Sequence, residues 1–70
     1  MKKHLKMLRI NSNWTAIPAV NQRRHYRISG RFYKDKALWI ELMAVCDRTV
    51  TVKQEAGPFL KEPIWHPGWI

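Results

Sequence analysis

The sequence predicts a small, mainly β domain, built as a three-stranded antiparallel meander with an SH3-like arrangement as one form of it. Seventy residues suffice for only one small domain. A 46% hydrophobic content with eight aromatic residues is too apolar for a disordered chain. We expect a basic N-terminal arm or short helix over residues 1–10, a single domain over residues 11–70, and a Trp- and Pro-rich C-terminal tail.

Residues 1–10 combine two spaced leucines with basic side chains. Leu5 and Leu8 are three residues apart, and Lys2, Lys3, Lys6 and Arg9 surround them. This pattern fits one or two turns of basic amphipathic helix, but so short a helix is marginal in isolation. A short helix and a frayed arm both remain open. With so few apolar groups, the segment is expected to lie outside the core.

Residues 14–23 are predicted to be an extended connection anchored by Trp14. Pro18 lies near the middle of this segment. Proline lacks a backbone N–H and is unfavourable both inside a helix and in a central strand.

Residues 24–33 carry the clearest strand pattern. Tyr26, Ile28 and Phe32 would form the inner face under strict alternation. The outer face would carry His25, Arg27, Ser29, Arg31 and Tyr33. Gly30 interrupts the inner face, which indicates a bulge or a close packing approach.

Two further strands are predicted downstream. Residues 37–46 are apolar on both faces apart from Glu41, as in a central strand, although the same residues are also good helix formers. We favour the strand because residues 24–33 need a partner. A turn at Asp47 and Arg48 then leads into an alternating strand over residues 49–54.

The tail is expected to fold back over one face of the meander and close the core. Its prolines and glycines allow only short regular structure. Trp65 and Trp69 lie within it and need cover. Three of the four tryptophans are expected in the core, and Trp39, which alternates with Glu41, is expected to be partly exposed.

Several sequence pieces together resemble a family of small tryptophan-rich bacterial proteins with no assigned function. The pieces are Ser12-Asn13-Trp14-Thr15-Ala16 followed by Pro18, Arg24-His25-Tyr26, Glu41-Leu42-Met43-Ala44-Val45, and Trp65-His66-Pro67-Gly68-Trp69. The resemblance runs from about residue 11 to residue 70. It departs from the family pattern over residues 53–60, where a further tryptophan is usual. The resemblance implies no activity, ligand or cofactor.

Charge is the main functional indication in the sequence. Thirteen Lys and Arg residues against five Asp and Glu residues give a net charge of +8. Nine of the thirteen basic residues lie within residues 1–34, which contain no acidic residue. Such a field attracts polyanions, namely nucleic acid, anionic lipid or an acidic protein surface.

We therefore expect a non-catalytic nucleic-acid-binding module, with RNA slightly preferred over DNA. Arginines interleaved with aromatic rings on a strand can hold phosphates while the rings stack on bases. The candidate binding residues are Arg23, Arg24, Arg27, Arg31, Tyr33, Lys3, Lys6 and Arg9. The alternatives are a protein-interaction subunit that binds an acidic partner, and a solvated polar face with no dedicated ligand.

Neither an enzyme nor a metal or cofactor site is expected. The three histidines and Cys46 show no metal-ligand spacing, and no phosphate loop or nucleophile elbow is present. A single cysteine in so small a chain favours a reducing compartment, and we expect a cytoplasmic protein. No apolar run approaches the ~18 residues of a membrane span.

Overall fold

The structure is a computed structural model that describes residues 3–70. Five antiparallel strands form one sheet in the order β4-β3-β2-β1-β5. The strands are β1 (Asn13–Val20), β2 (Arg23–Lys34), β3 (Ala37–Ala44), β4 (Thr51–Glu55) and β5 (Trp65–Pro67). A 3₁₀-helix spans Leu5–Met7, and α1 spans Ala56–Lys61. None of the helices within residues 3–70 is long and apolar enough to cross a membrane.

The mainly β class is confirmed, but the sheet has five strands rather than three, and the SH3-like arrangement is not confirmed. Residues 37–46 form a strand and not a helix, at Ala37–Ala44. The two additional strands are β1 and β5, where an extended connection and part of the tail were predicted.

The strand β1 includes Pro18, which was expected to exclude a central strand. Asn13–Thr15 pair with β2, and Trp14–Ala16 pair with β5. Pairing with β2 shifts between Thr15 and Val20, so Pro18 lies where neither ladder is regular. The missing N–H of Pro18 therefore removes no regular ladder hydrogen bond, which is why a strand tolerates it there.

A β-bulge divides β2 into two halves. Ile28 lies opposite Leu42, and Gly30 lies opposite the next residue of β3, Glu41. Ser29 is therefore an extra residue with no cross-strand partner. The bulge that Gly30 suggested is present, and the Ser29 hydroxyl donates to the Glu41 carboxylate at 3.1 Å.

The core lies on one face of the sheet, which we call the helix-side face. Its sheet residues are Trp14, Ala16, Tyr26, Ile28, Ile40, Leu42, Ala44 and Trp65, and Phe59 of α1 packs against them. Phe59 lies 4.9 Å from Trp14 and 5.1 Å from Trp65, measured between ring centroids. Trp65 in turn meets Tyr26 edge-to-face at 5.4 Å. The tail thus contributes to the core, as expected.

The described part of the N-terminal segment, residues 3–10, contributes to the core, which corrects the expectation that this segment lies outside it; Met1 and Lys2 lie outside the described residues. Leu8 is fully buried, whereas Leu5 remains 59% exposed. The Lys3 ammonium group donates to the main-chain oxygens of Phe59 and Glu62 at the end of α1. Burial lowers the pKa of Lys3, and the nearby Glu62 opposes that effect. The segment is therefore packed against the domain.

Only two of the four tryptophans are in the core, rather than three. Trp14 and Trp65 are fully buried. Trp39 is half-buried, as expected, and Trp69 is 48% exposed. Both of these lie on the face of the sheet opposite the core.

Candidate nucleic-acid interface

We call the face opposite α1 the open face. Cross-strand partners in an antiparallel sheet share a face, and neighbours along a strand alternate. Since Tyr26, Ile28 and Leu42 are in the core, the residues between them point the other way. The open face consists of Asn13, Thr15, His25, Arg27, Gly30, Phe32, Lys34, Ala37, Trp39, Glu41, Met43, Thr51, Lys53, Glu55 and His66.

The bulge at Ser29 separates residues that strict alternation placed together. Arg27 pairs with Met43 on the open face, but Arg31 pairs with the buried Ile40 on the helix-side face. Tyr33 pairs with Leu38, so it also lies on the helix-side face. The expectation that Arg27, Arg31 and Tyr33 share one face is wrong, because the extra residue inverts the alternation after position 29.

The same inversion moves Phe32 to the open face. Phe32 was expected in the core beside Tyr26 and Ile28, but it pairs with Trp39 across the strands. Phe32 therefore forms a half-buried aromatic pair with Trp39 on the open face instead of joining the core.

The remaining predicted residues lie elsewhere on the domain. Arg23 pairs with Val20 beside the turn between β1 and β2, and its guanidinium lies 3.5 Å from the Asp47 carboxylate. Arg24 is exposed and alternates with Tyr26 on the helix-side face. Lys3, Lys6 and Arg9 belong to the N-terminal segment, which packs on the core through Leu8. The eight predicted residues thus do not form one patch.

The last three residues fold onto the open face and are held there by Thr15. The buried Thr15 hydroxyl donates to the main-chain oxygen of Gly68 at 2.8 Å and accepts from the Ile70 N–H at 3.1 Å. His25 Nε2 lies 3.2 Å from the Ile70 main-chain oxygen. These contacts satisfy the buried hydroxyl and fix residues 68–70 over β1 and β2.

Trp69 is thereby held over two polar side chains of the sheet. Its ring lies 5.7 Å from the His25 ring, and the Arg27 guanidinium carbon lies 5.7 Å from the Trp69 ring centroid. Arg27 Nε also donates to Asn13 Oδ1 at 3.2 Å. A guanidinium over an indole is a favourable cation–π arrangement. We call Trp69, Arg27 and His25 the tail cluster.

A second aromatic group lies at the other end of β2. The rings of Phe32 and Trp39 are nearly parallel, at 16°, with centroids 6.3 Å apart. The Lys34 ammonium lies 5.7 Å from the centroid of the Trp39 ring. We call these three residues the strand cluster. Each cluster thus combines an aromatic surface with a cation.

Two acidic residues of the open face lie beside the clusters. Glu41 pairs with Gly30 of β2, and Glu55 pairs with Trp39. An anionic ligand would therefore be favoured near the cation of each cluster and disfavoured beside these two carboxylates.

Sequence reasoning missed Phe32, Lys34 and Trp69 as site residues. Gly30 was the available indication for the first two, because a bulge there inverts every later side chain. The position of Trp69 depends on the buried Thr15 hydroxyl, 54 positions away along the chain, which no local pattern indicates. Within residues 3–70, no three His, Cys, Asp or Glu side chains are grouped as a metal site would require.

Comparison with known proteins identifies the family but no function. No curated protein matches the sequence, and no solved structure matches the fold. The family described as Tryptophan-rich protein (DUF2389), which is of unknown function, matches residues 12–70. That match includes every strand of the sheet and both clusters of the open face. The chain therefore belongs to this tryptophan-rich family.

Proposed function

We propose that the protein is a non-catalytic nucleic-acid-binding module that uses the open face, with RNA slightly preferred over DNA. The observation that carries the proposal is the pairing of a cation with an aromatic ring at two places on one sheet face, where Trp69 is exposed and Trp39 is half-buried. Aromatic rings stack on bases regardless of base identity, while Arg and Lys neutralise phosphates. Sheet surfaces with such aromatics are a common mode of RNA binding.

Long-range electrostatics support the same proposal. The net charge of +8 raises the local concentration of polyanions around the whole domain. Charged residues on the helix-side face and in the N-terminal segment contribute to this attraction without contacting the bases. The open face then supplies the short-range contacts.

The two arginines that the bulge separates provide the test. Arg27→Gln and Arg31→Gln remove the same charge from the same strand, on opposite faces. Fluorescence anisotropy titrations with a single-stranded RNA at several salt concentrations measure the affinity and its salt dependence. We expect Arg27→Gln to weaken binding and to reduce the slope of log K against log salt by about 0.7, the value for one lost phosphate contact to a single strand.

Arg31→Gln is the matched control. We expect it to change affinity only through the general loss of one charge, with a smaller effect than Arg27→Gln. Equal effects of the two variants would mean that the open face is not the binding surface. If the wild-type protein binds neither RNA nor DNA in a salt-dependent way, the nucleic-acid proposal fails, and an acidic protein partner becomes the better explanation of the charge.

A further inference from the structure

We propose that the tail cluster and the strand cluster are two separate base-stacking sites, joined by a path along β2, that together bind one unpaired nucleic-acid strand. This inference rests on the proposed function and specifies its ligand. The tail cluster presents Trp69 beside Arg27, and the strand cluster presents Trp39 and Phe32 beside Lys34.

The separation of the clusters sets the length of strand that can reach both. Arg27 and Phe32 are five positions apart on β2, which corresponds to roughly 15 Å at the rise of a β-strand. Stacked nucleotides repeat about every 3.4 Å along a strand, so about five stacked nucleotides bridge that distance. A strand of eight nucleotides is therefore long enough for both clusters, whereas a dinucleotide engages only one.

The surface between the clusters carries no β2 side chain. Gly30 is the β2 residue of the open face between Arg27 and Phe32. A Cβ at this position would be in ordinary van der Waals contact with Glu41, 3.9 Å from its Cβ and 4.0 Å from its Oε1, so a strand that follows β2 passes beside this carboxylate. Glycine in a strand often marks close approach of another chain or a ligand. The Ser29 hydroxyl also engages the Glu41 carboxylate at 3.1 Å.

The geometry of Arg27 suits it to hold a phosphate beside a stacked base. Its Nε is occupied by Asn13 Oδ1, which fixes the plane of the guanidinium. Within residues 3–70 its terminal nitrogens make no hydrogen bond or ion pair, so they remain available to phosphate oxygens. Trp69 then offers the exposed part of its ring to the adjacent base.

Both clusters require bases whose faces are accessible. Bases inside a duplex are stacked on one another, so their faces do not meet an aromatic side chain unless the duplex opens. We therefore expect a preference for single strands over duplexes of the same length and sequence.

The test compares fluorescein-labelled oligouridines of two and eight nucleotides, with the wild-type protein and Trp69 variants, in anisotropy titrations. The wild-type protein should bind the eight-nucleotide strand more tightly than the dinucleotide. Trp69→Ala should weaken binding of the eight-nucleotide strand roughly 5- to 100-fold, the range for loss of one base–aromatic stack. Trp69→Phe should restore much of that affinity, because phenylalanine retains an aromatic face.

Tyr33→Ala is the matched control, since Tyr33 is 77% exposed on the helix-side face and should not affect binding. Thermal melts of each variant check that the fold is retained. If Trp69→Ala leaves binding of the eight-nucleotide strand unchanged while Arg27→Gln still weakens it, the nucleic-acid proposal stands and the two-site inference is wrong. A wild-type protein that binds no oligonucleotide overturns both.

Discussion

Asp47 stabilises the connection between β3 and β4 through hydrogen bonds to a single nearby residue. Its Oδ1 accepts the Thr49 hydroxyl at 2.6 Å and the Thr49 N–H at 3.0 Å. Its other carboxylate oxygen lies 3.5 Å from Arg23. The Thr49 hydroxyl, then the Thr49 N–H, and to a lesser extent Arg23, hold the pKa of Asp47 below its ordinary value of 3.8.

This lowered pKa predicts a defined loss of stability in acid. A carboxyl group with a lower pKa in the folded state stabilises that state above its unfolded pKa, and the contribution is lost as the pH falls through the folded pKa. Thermal melts between about pH 5 and about pH 2 should therefore show a steeper fall in Tm for the wild-type protein than for Asp47→Asn. The asparagine retains an acceptor for Thr49 but does not titrate. Parallel profiles for the two proteins would show that this carboxylate is not coupled to folding.

At the scale of the elements, Leu8 is the one side chain of residues 3–10 that is fully buried in the core. We expect Leu8→Ala to lower the free energy of unfolding by about 2–5 kcal/mol, as for other buried leucines. Leu5→Ala is the control within the same segment. Because Leu5 is 59% exposed, its replacement should change stability by no more than about 0.5 kcal/mol. Urea denaturation of both variants makes the comparison, and equal effects would contradict the packing of Leu8.

The bulge in β2 predicts that two single-residue deletions have opposite outcomes. Without Ser29, Ile28 still faces Leu42 and Gly30 still faces Glu41, so every side chain keeps its face. The cost should be limited to the lost hydroxyl contacts with Glu41, about 1–2 kcal/mol.

Deletion of Arg27, two positions away, is the control. Closing that gap forces either Tyr26 or Ile28 out of the core, because the alternation on one side of the deletion must invert. Circular dichroism and urea denaturation should show a folded protein without Ser29 and an unfolded one without Arg27. A collapse of both proteins would mean that the bulge itself is essential.

These elements also show which parts of the fold the sequence patterns predict. Alternation predicted Tyr26 and Ile28 as core residues, because β2 is regular up to that point. Alternation was wrong for Phe32, because the extra residue Ser29 inverts it. Gly30 is compatible with both a bulge and close packing, so the sequence pattern alone did not identify the bulge. The strand β1 was not predicted because Pro18 is normally unfavourable in a central strand. It is tolerated here because the pairing around it is irregular, and that irregularity depends on the tertiary structure.

At the scale of the whole molecule, the net charge opposes folding as well as attracting polyanions. Within residues 3–70 a single ion pair is formed, between Arg23 and Asp47, so repulsion among the basic groups is largely uncompensated. Raising the ionic strength from about 0.01 M to about 0.1 M shortens the screening length from about 30 Å to about 10 Å. The Tm should rise over this range while affinity for RNA falls. A lower Tm at the higher ionic strength would indicate that attractive pairs dominate.

The order of the strands also determines how the protein behaves at high concentration. The longest strand, β2, is internal, and the two edges are the five-residue β4 and the three-residue β5. Lys53 lies in the middle of one edge, and Pro67 ends the other. Short edges with a lysine or a proline resist pairing with the edge of a second molecule. Concentrated samples should therefore remain monodisperse by light scattering, and Lys53→Val should promote self-association. Aggregation of both proteins to the same degree would show that β4 is not the edge that limits it.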